Sequence, residues 1–328
     1  MGSRLDVIIV DYNAGRLLGE CLESLRDDPA IDFGNVIVVD NASADDSAQD
    51  ARTRFGVRVL DTGRNAGFAV ANNAGLAVST AEYVLLLNPD TRLDSGDIAS
   101  LVEFMDLNPT VGLVGPKLVD ADGVLQLSIG NYPTVLREAF ECLFLHRAFP
   151  KAATRWADSV WDGDAYVGAK RTDWVGGPVM LARMSALREI GGFDEGFFLY
   201  SEEIDLCHRL TDGGWEVWYC PEVVFVHVGG EFDANPALAV ENQRSKLRYF
   251  LKHEGRARML LFSAVIVLRL AIRSALWLPV ALARGDVWTL RLRAALHTLV
   301  RYPRLVGEFA VAPIPATLRM DRSEEPAA

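Results

Sequence analysis

An open, doubly wound, mostly parallel α/β sheet carrying an amphipathic helical arm at its C-terminal end is the fold class that this sequence predicts. Three observations lead to it. Short β-branched runs alternate with amphipathic stretches through the first half of the chain. Those runs are continuously apolar rather than alternating, as in parallel strands covered on both faces. Charge is also divided sharply along the chain: between Arg244 and Arg304 thirteen basic residues face only Glu254 and Asp286, a net of +11, while the remainder carries −22.

Taken in order, Leu5–Val10, Val36–Val39, Val57–Leu60 and Tyr83–Leu87 read as strands. Leu17–Leu25, Asp45–Phe55 and Ala66–Ala77 lie between them, each long enough for a crossover helix, which gives a βαβαβαβ series. Helices are expected at about Ser95–Leu107 and Glu202–Thr211, and strands at Gly112–Gly115, Val175–Ala182 and Val217–Cys220. Residues 132–171 mix Pro, Trp and charge with weak periodicity and read as an irregular insertion. The last ten residues, RMDRSEEPAA, read as a frayed tail. The natural division is an α/β unit over 1–243 and the basic arm over 244–328.

The chain has 328 residues, half of them hydrophobic, so it can bury a large core. Its overall charge of −11 argues against a general nucleic-acid binder, which needs clustered Lys and Arg to neutralise phosphates. Cys21, Cys142, Cys207 and Cys220 have neither zinc-ligand nor disulfide spacing, and a reducing cytosol is expected. The apolar stretch DVIIV near the N-terminus is too short for a signal peptide, and Asp6 stands where a myristoylated Gly2 would want Ser or Thr.

Ligands of open α/β sheets bind beyond the carboxyl ends of the strands. The residues there are Asp11-Tyr12-Asn13, Asp40-Asn41-Ala42-Ser43, Asp61-Thr62-Gly63-Arg64-Asn65-Ala66-Gly67 and Asn88-Pro89-Asp90. Any one of these could merely cap a helix or make a turn. Four in series at one edge form an acidic crevice, which is unfavourable without a bound cation or hydrogen-bond donor. DYNAGRLLG after the first strand is neither GxGxxG nor a P-loop, which weighs against a dehydrogenase or an ATPase. A hard divalent metal on the Asp90 carboxylate could instead neutralise a diphosphate.

VIIVDYN, VIVVDNASADDS, RNAGFAVANNAG, VLLLNPDT, WVGGPVMLARMSALREIGGFDEGFFLYSEEIDLCHRL and VVFVHVGG resemble, in order and spacing, the motifs of family 2 glycosyltransferases of the rhamnosyltransferase-like kind. The resemblance covers roughly residues 5 to 255. It implies a GT-A fold and inverting transfer of a sugar from a nucleotide-diphosphate donor. It puts Asp40 on the base, Tyr12, Asn13 and Ser43 in the nucleotide pocket, and Asn65, Gly67 and Asn73 on its base and sugar side. Asn88-Pro89-Asp90 matches the family's DxD position, so Asp90 would carry Mg²⁺ or Mn²⁺ with weak support from Asn88, and His227 would complete the metal site.

In Ser201-Glu202-Glu203-Ile204-Asp205, acids in a helix's first turn suit its dipole, and Ser201 is a plausible N-cap. The family usually has Glu-Asp here. Glu203 at the Asp position is the first choice for the general base that deprotonates the acceptor hydroxyl. Glu202 and Asp205, with Arg209 one turn on, form either an acceptor-binding or a structural group. Trp174, Gly176 and Gly177 resemble the acceptor wall, and Asp194 in GGFDE is a further acceptor candidate. The expected chemistry is a single in-line displacement through an oxocarbenium-like transition state, with metal stabilising the departing diphosphate.

In the arm, Met259–Ala283 is almost wholly apolar, but Arg269 and Arg273 leave uncharged runs of about ten residues, short of the about 20 needed to span a bilayer. Arg258, Arg269, Arg273 and Arg284 fall on one helical face, and Pro279 should kink or divide the helix. This pattern suits an element lying in an anionic membrane interface on the cytoplasmic side of the plasma membrane, where a lipid-linked (polyprenyl) or surface-glycan acceptor would be met. A helix packed on the catalytic unit, or in a homo-oligomer interface, is the alternative. Rhamnose from a deoxythymidine diphosphate donor is implied by resemblance alone. A transferase of another UDP- or dTDP-sugar, a sugar-phosphate nucleotidyltransferase, and a membrane-bound scaffold without activity are the rivals.

Overall fold

The computed structural model describes residues 4–160, 162–229, 235–284 and 286–313; Gly2 and the tail 319–328 lie outside them. The first half follows the expected series: β1 (Leu5–Asp11), α1 (Arg16–Ser24), β2 (Val36–Asp40), α2 (Ser47–Phe55), β3 (Arg58–Asp61), α3 (Phe68–Val78) and β4 (Tyr83–Leu87). The strands pair in parallel as β3-β2-β1-β4. All seven residues of β1 are buried, because its two faces feed two cores. Leu5, Val7 and Ile9 pack with Leu18 and Leu22 of α1, and Ile8 and Val10 pack with Ala69 and Ala71 of α3.

The second half comprises β5 (Thr91–Ser95), α4 (Ile98–Leu107), β6 (Val111–Val119), β7 (Ile129–Gly130), α5 (Val135–Cys142), α6 (Leu145–Ala148), α7 (Pro150–Trp156), β8 (Lys170–Arg171), β9 (Trp174–Val175), β10 (Val179–Arg183), α8 (Met184–Glu189), α9 (Glu202–Asp212) and β11 (Glu216–His227). Here the sheet is mixed. β10 lies antiparallel between β4 and β6, β11 runs parallel to β6, and β5 closes the path antiparallel to β11. The single strand expected over Val175–Ala182 is two, because Gly176-Gly177-Pro178 breaks it: β9 pairs with β7 in a small separate sheet and β10 enters the main one. The insertion at 132–171 is more regular than its composition suggests, with three short helices, the first capped by the Thr134 hydroxyl.

The arm consists of α10 (Pro236–Tyr249), a wide π-type turn at Phe250–Glu254, α11 (Gly255–Arg284) and α12 (Asp286–Val311). α11 runs unbroken through Pro279, and the division expected there falls at its end instead. By length and composition the continuous run Pro236–Arg284 is long enough and apolar enough to cross a membrane, against the expectation from Arg269 and Arg273; a third of its apolar window is nevertheless buried within the protein. Met259, Phe262, Ile266 and Leu270 of α11 share a core with Leu247, Tyr302 and Phe197, the last from the body. The arginine face does not simply point outward. Arg269 is ion-paired with the fully buried Glu138 of α5, which also takes Lys246. Arg258 and Arg284 are exposed, and so are Leu260, Leu261, Leu268, Leu276, Leu278 and Leu282.

Candidate active site

Two adjoining cavities open beyond the carboxyl ends of the parallel strands, one of about 410 Å³ and one of about 620 Å³. Tyr12, Asn13, Asn65 and Gly67 line the first, together with Asn41 of the turn after β2, which the family motif does not mark. Asn13 adopts a left-handed conformation (φ 54°), and its Oδ1 accepts from Ala44 N (2.6 Å) while its own N–H donates to Ser43 Oγ (3.0 Å). The loops after β1 and β2 are thereby stitched together. Asn41 Nδ2 donates to Asn65 Oδ1 at 3.1 Å, and Asn41 Oδ1 accepts from Ala66 N at 3.0 Å, tying in the loop before α3. Gly67 has φ 91°, and a Cβ there would stand 2.5 Å from Phe198 O, so no other residue fits. Asp40 and Ser43 do not line the cavity: Asp40 Oδ1 accepts from Ser43 N (2.8 Å) and shapes the turn behind it.

Phe68, Asn88, Asp90, Leu199 and Gly229 belong to both cavities. The pairing of β5 with β11 sets His227 opposite Thr91 and so beside Asp90, and Val228 N–H donates to Asp90 O at 3.0 Å. Asp90 Oδ2 then lies 3.4 Å from His227 Nε2. Gln126 fixes the imidazole from behind, its Oε1 2.8 Å from Nδ1 and its Nε2 donating to the His227 carbonyl at 2.8 Å. With the Nδ1 proton on Gln126, the Nε2 lone pair faces a carboxylate, an arrangement that calls for a cation between them. Asn88 Oδ1 is buried without a hydrogen-bond partner at the same junction. A carboxylate oxygen, an imidazole nitrogen and an orphaned amide oxygen are a donor set that fits a divalent metal.

Glu202 and Glu203 line the larger cavity with Gly177. They open α9 immediately after Tyr200 and Ser201, consecutive non-glycine residues at φ 70° and 63°. Such backbone costs of order 1–3 kcal/mol per residue and collects at functional sites. Ser201 occupies the N-cap position, but its side chain caps no N–H. Gly177 lies beside Glu203, where an added Cβ would make ordinary van der Waals contact with the Glu203 side chain at 3.6 Å. Each glutamate keeps a buried Oε2 without a partner. Burial pushes Glu203 up to about 7, against the opposing pull of backbone N–H groups at the helix start. Burial, reinforced by the neighbouring Glu203 charge, raises Glu202 well above the carboxylate range. Glu203 thus titrates near neutrality, and Glu202 is shifted in the same direction.

Five further expected site residues stand elsewhere. Asp205 is completely buried: Oδ2 accepts from Arg209 Nε (2.7 Å), and Oδ1 meets Lys252 Nζ and His253 Nε2, each at 2.7 Å. Burial opposes its ionisation, but His253, Arg209 and Lys252 hold it far below the usual range, so it is a structural anion. Asp194 is likewise taken by Arg248 and Lys252, both at 2.8 Å. Asn73 braces the 191–195 turn, with Nδ2 on Phe193 O and Oδ1 on Phe193 N, both at 2.9 Å. Trp174 is buried beneath the insertion, its indole N–H on Asn131 O (2.9 Å), and Gly176 packs against Ser128; of the expected acceptor wall only Gly177 reaches the cavity.

Matches to known proteins agree with this architecture. The chain matches the models "Glycosyl transferase family 2" over residues 6–140 and "Glycosyl transferase family group 2" over residues 83–318. It is 30% identical to the N-acetylglucosaminyl-diphospho-decaprenol L-rhamnosyltransferase of Mycobacterium tuberculosis over 238 residues, 68% of this chain and 75% of that protein. It is 26% identical to the rhamnosyltransferase WbbL of Escherichia coli K12, over 67% of this chain and 82% of that one. Among solved structures, the mannosyltransferase PcManGT of Pyrobaculum calidifontis superimposes with a TM-score of 0.55 at 17% identity, covering 92% of this chain and 88% of that one, which establishes the GT-A fold. With these motifs at the strand ends and these matches along its length, the chain belongs to glycosyltransferase family 2.

Proposed function

We propose that the protein is a metal-dependent, inverting glycosyltransferase that moves a sugar, L-rhamnose from a deoxythymidine diphosphate donor, onto a lipid-linked acceptor at the cytoplasmic face of the membrane. The observation that carries this reading is the sharing of one cavity by Glu203, titrating near neutrality with an unpartnered oxygen, and the Asp90–His227 pair. The smaller cavity, walled by Asn13, Asn41, Asn65 and Gly67, suits the nucleoside of the donor, whose diphosphate would lie toward Asp90. Glu203 takes the proton of the acceptor hydroxyl as its oxygen attacks the anomeric carbon from the face opposite the leaving diphosphate. Burial and the neighbouring Glu203 charge raise Glu202, which disfavours a second negative charge beside the base. Asp90, His227 and Asn88 would hold a divalent cation, which supplies charge stabilisation for the departing diphosphate. Gln126 keeps the His227 ring in the tautomer that such binding needs.

The rhamnosyl and lipid-linked assignments draw on the names of the Mycobacterium tuberculosis and Escherichia coli relatives, and the choice of Mn²⁺ over Mg²⁺ draws support from the imidazole ligand and from the Mn²⁺ complex of the Pyrobaculum structure. Membrane attachment is supported by the exposed leucines of α11 and by the basic arm. The test is release of nucleoside diphosphate from a panel of nucleotide sugars, with and without Mn²⁺ and a diphospholipid-linked acceptor. Turnover on the deoxythymidine diphosphate donor, only with metal and acceptor, is expected; a folded protein silent across the panel would overturn the reading.

A further inference from the structure

Where the last turn of α9 meets the arm, a second set of metal-ligating side chains comes together, separate from Asp90 and His227. His208 and Asp212 stand four apart on α9 and share one face. His253 comes from the π-type turn at Phe250–Glu254, a backbone form that recurs at functional sites. A ring nitrogen of each histidine and a carboxylate oxygen of Asp212 lie within 4.8 Å of one another.

One nitrogen of each ring already has a partner. His208 Nδ1 lies 2.8 Å from the Tyr249 hydroxyl, and His253 Nε2 lies 2.7 Å from Asp205 Oδ1. Such a partner fixes the tautomer and orientation of an imidazole for metal binding through its other nitrogen, here His208 Nε2 and His253 Nδ1. The two imidazoles stack at 4.2 Å with planes 13° apart, and Tyr132 stacks on His208 at 4.1 Å, so both rings are held in place.

Net charge does not create this site. Asp205, Asp212 and Glu254 act on the His208 ring, while Arg209 and Lys252 are bound to Asp205 and Arg258 to Glu254; Lys252 is shared with Asp194, which also holds Arg248. The donor set is what points to a ligand. Two imidazole nitrogens with one carboxylate oxygen suit a borderline transition ion such as Zn²⁺, whereas Mg²⁺ wants oxygens. Bonds of about 2.0–2.1 Å in a tetrahedron set ligand atoms about 3.4 Å apart. Asp212, exposed at the helix end, can move to close that gap, and a small opening of the stacked rings turns their nitrogens toward it.

We infer that His208, Asp212 and His253 form a structural site for a divalent transition ion, Zn²⁺ by its donor set, that pins the arm to the helix beginning at Glu202. The test is independent of turnover. Metal-free full-length protein is titrated with Zn²⁺ by calorimetry and melted with and without it, and Co²⁺ serves as the spectroscopic probe. Asp90→Asn is carried alongside, so that binding at the Asp90–His227 pair is told apart.

Zn²⁺ is expected to raise the melting temperature of wild type and of Asp90→Asn, and Co²⁺ to give both the intense visible absorption of a four-coordinate ion. Asp212→Asn, a change at an exposed position, is expected to bind Zn²⁺ here at least about tenfold more weakly and to lose the Co²⁺ absorption. His208→Gln, which removes a nitrogen ligand, should lose both responses as well. An Asp212→Asn protein with wild-type affinity and melting shift overturns the site, and so does a response that vanishes in Asp90→Asn. Mg²⁺ stabilising wild type as strongly as Zn²⁺, with the same dependence on Asp212, overturns the assignment to a transition ion.

Discussion

The candidate catalytic cleft and the seam between body and arm both bury carboxylates, but they complete them differently. At the seam, Asp205, Asp194 and Glu138 each receive two or three cationic partners. In the cleft, Glu202, Glu203 and Asn88 each keep a buried oxygen with none. An unsatisfied buried polar group costs about 1–3 kcal/mol, so such groups persist where binding or proton transfer will satisfy them. A carboxylate saturated by cations cannot take a proton near neutral pH, whatever its place in a motif. The partner count therefore distinguishes Glu203 from Asp205, two residues apart on one helix.

The comparison breaks most visibly at Glu203. Glu203→Gln keeps the shape and removes the base, so turnover is expected to fall by about 10²–10⁴ while nucleotide binding, measured by calorimetry, is unchanged. Transfer at the wild-type rate would move the base elsewhere. Asp205→Asn should act on stability, costing about 3–5 kcal/mol in urea unfolding, because Arg209, Lys252 and His253 are left without their buried anion. A stable Asp205→Asn with lost activity would return that residue to the chemistry. Gln126→Leu frees the His227 ring and is expected to weaken Mn²⁺ binding by about 10- to 100-fold with little change in melting temperature. The mildest perturbation is pH. As the proposed base Glu203 would work ionised, and with its pKa raised to about 7 turnover is expected to fall as pH drops through 7 and to reach roughly one tenth of its plateau a unit below. A rate flat between pH 6 and 8 would contradict that protonation state.

Much of the first half of the fold is legible because β2 and β4 are apolar runs, β1 is interrupted only by Asp6, and each leads into a polar turn. β5 was not, since TRLDS is a polar edge strand with two exposed residues, stabilised by pairing with β11 rather than by its own pattern. The short helices of the insertion are not legible for the same reason: α5 packs on α11, and α6 and α7 pack on α5 and on each other. In the site, Glu203, Asp90, His227, Asn65 and Gly67 could be picked out by motif. Asp194, Asp205 and Asn73 carry the same chemistry in the same motifs, and only their partners from Phe193 and the arm reveal a bracing role. Gln126 and Glu138 left no local signal, because each acts on residues more than a hundred positions away.

The position of β10 has a consequence for biosynthesis. Leu87 of β4 pairs with Val179, so a nascent chain that has completed the parallel half still exposes one side of β4 until the insertion and β10 have left the ribosome. During that interval the hydrophobic run Tyr83–Leu87 is an open strand edge, the kind of surface that recruits other chains. Slow synthesis through residues 111–183 would lengthen the exposure, whereas chaperone occupancy there would shield it, which makes the yield of folded protein sensitive to this stretch.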